Sequence, residues 1–160
     1  MKAAKRKAVL PSIPKVRPPV RQNIRTAKSL MTPTPVTTSP DSALRDAIAR
    51  MVDEDIRHLP VIDAAGKLVG MLSERDARSA TGDLREFAEG APDESDDPVV
   101  GSVMTRDPVA IELETPIEEI VEELIAGRYG ALPVVDANSK LVGIVSYIDV
   151  LRALVPSAAA

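Results

Sequence analysis

Two stretches of the chain place a hydroxyl and a carboxylate three residues apart behind a glycine: Gly70-Met71-Leu72-Ser73-Glu74-Arg75-Asp76 and Gly143-Ile144-Val145-Ser146-Tyr147-Ile148-Asp149. In each, the apolar run before the serine reads as a strand and the residues after it as the start of a helix. A helix N-terminus offers free backbone N–H groups and a partial positive charge, so a phosphate is favoured there and the serine hydroxyl can join as a donor. The carboxylate, one helical turn on, suits the two hydroxyls of a ribose. Glycine lets the backbone approach closely. The same spacing is also a capping box, in which serine caps the helix and the acid reaches back to it. Two copies in one register, each behind the same strand and glycine, weigh towards ligand binding.

Nothing else in the chain suggests chemistry on a substrate. The single His has no Cys to pair with, and no nucleophile elbow or phosphate-cradling Walker loop is present. Without cysteine there are no disulfides and no thiolate metal sites. The acidic run Asp93-Glu94-Ser95-Asp96-Asp97 lacks the ligand spacing of a calcium loop and reads as a solvated linker. The chain is therefore expected to be no enzyme and to hold no metal or cofactor.

The elements that position the two serine–aspartate pairs follow from a duplication at an offset of 73 residues. It aligns Met31-Thr32 with Met104-Thr105, Pro35-Val36 with Pro108-Val109, and Leu59-Pro60-Val61 with Leu132-Pro133-Val134. It goes on without insertion through Asp63-Ala64 and Asp136-Ala137, and through Lys67-Leu68-Val69-Gly70 and Lys140-Leu141-Val142-Gly143. Each copy opens on an extended piece, Pro35 to Thr38 or Pro108 to Ile111. A helix follows, with Leu44, Ala47, Ile48, Met51 and Val52 on its buried face in copy one, and Ile117, Ile120, Val121, Leu124 and Ile125 in copy two. Thr115-Pro116-Ile117-Glu118 reads as a capped start. Two short strands come next, Leu59 to Ile62 and Leu68 to Leu72 in copy one, joined by a hairpin containing Gly66. The second helix begins just after Ser73 or Ser146. A unit of about 50 residues is too small to bury a core alone, so the copies are expected to pack together.

Outside the repeats the charge is segregated. Residues 1 to 28 carry nine Lys or Arg and no acid, while the other 11 basic residues face all 24 acidic ones, a net of −13. The organisation expected is a basic, proline-bearing mobile arm (1–28), repeat one (29–81), an acidic linker (82–98) with a turn of helix around Leu84 to Phe87, repeat two (99–155) and a tail (156–160). With one Phe, two Tyr and no Trp, the core must be aliphatic and platforms for stacking bases are lacking. No apolar run reaches membrane-spanning length and the basic start lacks a secretory signal, so a cytoplasmic address is expected.

The motifs MT-x-x-P-V, L-P-V-[IV]-D, K-L-V-G and G-h-h-S-x-x-D, where h is apolar, resemble those of the CBS domains, which occur as tandem pairs. The resemblance covers residues 30 to 154. It implies an α+β, sandwich-like fold in which two β-α-β-β-α repeats pack with pseudo-twofold symmetry and a cleft on each side. It implies a regulatory ligand, AMP, ADP or ATP, with S-adenosylmethionine possible. Carried over residue by residue, it assigns ribose to Asp76 and Asp149, and phosphate to Ser73 and Ser146. It assigns the base pockets to Met71, Ile144, Val36, Thr37, Val109 and Ala110. It also implies a homodimer assembled through the helices.

The copies differ just before the L-P-V strand, where that family often carries cations. Copy one has Arg57-His58 and copy two has Gly130-Ala131. The bland reading makes Arg57 solvent-exposed and His58 incidental. The sharper one makes both phosphate ligands, since a guanidinium fork suits phosphate geometry. The alternative function is an interaction protein whose arm, residues 1 to 28, engages nucleic acid or another acidic surface.

Overall fold

The computed structural model describes residues 25–90 and 97–155. Most of the basic arm (1–24), part of the acidic linker (91–96) and the tail (156–160) lie outside the described residues. In chain order the elements are α1 (Ala27–Leu30), β1 (Thr32–Pro33), α2 (Leu44–Asp53), β2 (His58–Ile62), β3 (Leu68–Ser73), α3 (Glu74–Thr81) and α4 (Leu84–Glu89). They continue as α5 (Val100–Val103), β4 (Thr105–Arg106), β5 (Ile111–Glu112), α6 (Ile117–Gly127), β6 (Ala131–Val135), β7 (Leu141–Ser146) and α7 (Tyr147–Leu154).

The strands form two sheets, ordered β1-β7-β6-β5 and β2-β3-β4. Each repeat supplies an antiparallel hairpin, β2–β3 or β6–β7, and the opening strand of the other repeat adds to its edge. Thr32 pairs with Ile144 and Pro33 with Gly143, while Thr105 pairs with Met71 and Arg106 with Gly70. The short helices travel with these strands. Ala27, Leu30 and Met31 lie in the core cluster of repeat two, and Val100, Val103 and Met104 in that of repeat one. The leading segments are thus exchanged, which explains why methionine and glycine recur together at the same offset. A Cβ at Gly70 would meet the thioether of Met104, and one at Gly143 that of Met31.

The cores are aliphatic, as the composition requires. Leu44, Ile48, Leu59 and Leu72 are fully buried in repeat one, as are Ile120, Leu132, Val134 and Val145 in repeat two. Each contributes roughly 1.5–3 kcal/mol by leaving water. The hairpin turns are held by side chains: Asp63 Oδ1 accepts from the N–H of Ala65 and Lys67, and Asp136 Oδ1 from that of Asn138 and Lys140. The two turns meet, Leu68 N–H donating to Ser139 O and Leu141 N–H to Gly66 O.

Three expectations are corrected. The opening extended pieces are shorter than expected: in repeat one only Thr38 bridges Val61, and in repeat two the strand is Ile111–Glu112, because each opening segment first serves the other sheet. Thr115 does not cap α6; its Oγ1 accepts from Glu112 N–H, and Ile117 N–H donates instead to Arg25 O. Ile125 is not buried but 72% exposed. Its counterpart Val52 packs in the cluster that holds Leu84, Phe87 and Ala88 of α4. That helix, capped by Asp83, covers α2, to which Arg45 ties it by stacking 4.4 Å over the Phe87 ring.

Candidate functional site

Both serine–aspartate pairs form capping boxes at the exits of β3 and β7. Ser73 Oγ donates to Asp76 Oδ2 at 2.6 Å, Ser73 N–H donates to the same oxygen at 3.2 Å, and Asp76 N–H donates back to Ser73 Oγ at 3.1 Å. Ser146 and Asp149 repeat this at 2.6, 2.8 and 3.3 Å. The cap and the ligand-binding readings are therefore compatible. Both bonds that the carboxylate accepts fall on Oδ2, so the cap fixes the carboxylate and Oδ1 of Asp76 takes no part in it. Asp149 differs, with Arg152 Nη1 4.0 Å from its Oδ1.

Asp76 lines a cavity of about 450 Å³ that both repeats enclose, a volume in the range of small-molecule sites. Repeat one contributes Arg57, His58, Met71, Ser73 and Arg75. Repeat two contributes Val109 and the run from Gly127 to Pro133. The exchange of strands brings them together: β4 runs along β3, and the chain leaving it carries Pro108 and Val109 past Met71. Close approach of the repeats depends on Gly130, where a Cβ would lie 2.6 Å from His58 Cε1 and Nε2.

The two cations of repeat one behave differently. The Arg57 side chain is 71% exposed and its Nε lies 3.6 Å from Glu74 Oε2, an acid that also pairs with Arg78. His58 is half-buried. Burial holds its pKa below the usual histidine value; the carboxylates of Asp76 and Glu74 oppose this, and the guanidiniums of Arg57 and Arg75 reinforce it.

Of the residues singled out from the sequence, Ser73, Asp76, Met71, Arg57, His58 and Val109 meet in this cavity. The others line no part of it. Ser146, Asp149 and Ile144 lie at the equivalent place in repeat two. Val36 packs against the core of repeat one, the Thr37 carbonyl accepts from Arg50, and Ala110 is exposed. Arg75, Arg128, Tyr129 and Tyr147 also line the cavity. Both tyrosines of the chain thus line one cleft. Arg75 stands inside the serine–aspartate motif and was legible there. Tyr147 stands inside the second motif, while Arg128 and Tyr129 carry no local signal; all three reach the site from repeat two.

Among the described residues no cluster of His, Asp and Glu could hold a metal ion, and no helix is long and apolar enough to cross a membrane. The exchanged opening segments and paired capping boxes define a tandem-repeat module. The sequence profile of the CBS domain matches residues 27–83 and 100–156, and the chain belongs to the CBS-domain family. It is 33% identical over 130 residues to a CBS domain-containing protein of Dictyostelium discoideum, covering 80% of this chain and 90% of that one. It is 32% identical over 131 residues to inosine-5'-monophosphate dehydrogenase of Methanocaldococcus jannaschii, covering 82% of this chain but only 24% of the enzyme. Among solved structures it is similar to Arabidopsis thaliana CBSX2 in complex with AMP, with a TM-score of 0.71, 28% identity, and coverage of 84% of this chain and 99% of that one. It is also similar to the CBS domain pair of protein MJ0100 in complex with 5'-methylthioadenosine and S-adenosyl-L-methionine, with a TM-score of 0.69, 25% identity, and coverage of 81% and 95%.

Proposed function

We propose that the chain is a non-catalytic regulatory module that binds an adenine nucleotide in the cleft between its repeats. The observation that carries this is the placement of Asp76, held through Oδ2 by its cap with Oδ1 left over, on the wall of a cavity that also holds Met71, Val109, Arg57 and His58. Asp76 accepts from the ribose hydroxyls, the base lies against Met71 and Val109 beside the tyrosines, and the phosphate points to His58 and Arg57. Ser73 acts mainly by fixing Asp76, because its hydroxyl is already committed to that carboxylate. AMP, ADP or ATP is the expected ligand and S-adenosylmethionine the alternative, in keeping with the ligands of the similar CBSX2 and MJ0100 structures. These likenesses favour this reading over an interaction protein working through residues 1 to 28. Thermal shift and titration calorimetry with AMP, ADP, ATP, adenosine and S-adenosylmethionine test it; no binding by any of the five at millimolar concentration overturns it.

The module is further proposed to form a homodimer through α6 and α7. Ile125, Leu151 and Leu154 on these helices and Val155 just after α7 are 72, 53, 67 and 67% exposed, an apolar surface of the kind that marks interfaces. In repeat one α4 already packs against α2 and α3.

A further inference from the structure

Arg128 ends α6 with left-handed backbone, φ 53° and ψ 37°. A residue with a Cβ is disfavoured there, and helices that end this way usually do so on glycine or asparagine. The fold demands the turn in both repeats, since Asp55, 73 residues earlier, has φ 50°. Aspartate is among the residues enriched in that conformation, and arginine is not. The helix dipole does not account for the choice. A cation is favoured at a helix C-terminus, yet repeat one places an acid at the same position.

The surroundings of the Arg128 side chain do account for it. It lines the cleft of Asp76 together with Arg57 and Arg75 of the other repeat. Among the described residues neither Arg75 nor Arg128 has an ion-pair partner; of the acids that line the cleft, Glu74 is engaged by Arg78 and Arg57 and Asp76 by the cap at Ser73. The cavity carries three guanidiniums, Arg57, Arg75 and Arg128, from the two repeats, and three carboxylates, Glu74, Asp76 and Asp107. A phosphoryl group suits the guanidiniums, because the guanidinium fork matches its oxygens.

Resting on the nucleotide-binding reading, we propose that Arg128 is a specificity-determining residue. From repeat two it grips the phosphoryl tail of the nucleotide whose ribose is held by Asp76 of repeat one. A charged ligand therefore gains a contact with repeat two that adenosine, held at Asp76, Met71 and Val109, lacks.

The test compares the full chain with R128G and R128N, whose new residues tolerate left-handed backbone, by calorimetry with AMP and with adenosine and by melting without ligand. Loss of a charged hydrogen bond predicts that the ratio of AMP to adenosine affinity falls about tenfold in both variants. Adenosine affinity stays unchanged, and the melting temperature of the unliganded protein does not fall, since the replacements suit the turn better. A wild type that binds both ligands with a ratio unaltered in the variants overturns the role of Arg128 alone. Parallel loss of adenosine affinity and melting temperature also overturns it, by making the residue structural. A wild type that binds neither ligand removes the nucleotide-binding reading together with this one.

Discussion

The imidazole of His58 occupies the space that any side chain at Gly130 would need, a Cβ there falling 2.6 Å from both Cε1 and Nε2. A side chain at position 130 would therefore require the imidazole to move. His58 of repeat one and Gly130 of repeat two are thus the two sides of one close approach between the repeats.

Gly130→Ala should therefore destabilise the fold by about 1–3 kcal/mol through overpacking. His58→Ala in the same chain should recover most of that loss, because the clash needs both groups. A denaturant series on the wild type, the two single variants and the double variant measures the coupling. Additive losses would show that the ring simply swings away.

Asp76 and Asp149 make the same capping box but only Asp76 lines the cavity. Each aspartate-to-alanine change should lower stability by about 0.5–2 kcal/mol through loss of the cap interaction. Only Asp76→Ala should also weaken AMP by about tenfold or more, as expected for a charged hydrogen-bond acceptor. Equal AMP affinity in wild type and Asp76→Ala would remove the ribose assignment.

The pH dependence of stability should carry the signature of His58. Its folded pKa lies below the value of about 6.5 that the unfolded chain has, chiefly because of burial. The unfolded state therefore binds more protons in the window just below pH 6.5, so stability from this residue is present above that pH and is lost as pH falls. His58→Gln should flatten the melting temperature between pH 7 and 5.5. Bound AMP should act in the opposite sense, since a phosphate favours imidazolium, and its affinity should tighten on acidification in wild type but not in His58→Gln.

Leu151→Glu and Leu154→Glu together should convert a dimer into a monomer at micromolar concentration, read by light scattering, without lowering the melting temperature much. A wild type already monomeric would dispose of the α6–α7 interface while leaving ligand binding intact.

The duplication, the helix faces, the capping boxes and the hairpin turns were legible because each depends on neighbours within a few residues. Asp63 and Asp136, noted only as matching positions, prove to be the acceptors that shape the turns. What was not legible is where the opening segments pair. Two repeats with the same motifs offer β1 two equivalent edges, and nothing local distinguishes its own hairpin from the other. Ile125 failed for a related reason: helical periodicity identifies an apolar face but not whether a helix such as α4 covers it. The gathering of Tyr129, Tyr147 and Arg128 at Asp76 follows from the exchange and was hidden with it.

The exchange also bears on how this architecture could arise and be taken apart. With Ala27 and Met31 seated in the second core, and Val100 and Met104 in the first, the module has the wiring of two single-repeat chains that lent each other their N-terminal arms and were later joined. The join should be dispensable. Fragments 1–90 and 97–160, produced separately, should each stay unfolded for want of the other's arm, and on mixing should assemble one-to-one into a complex that melts cooperatively, a ready-made split reporter.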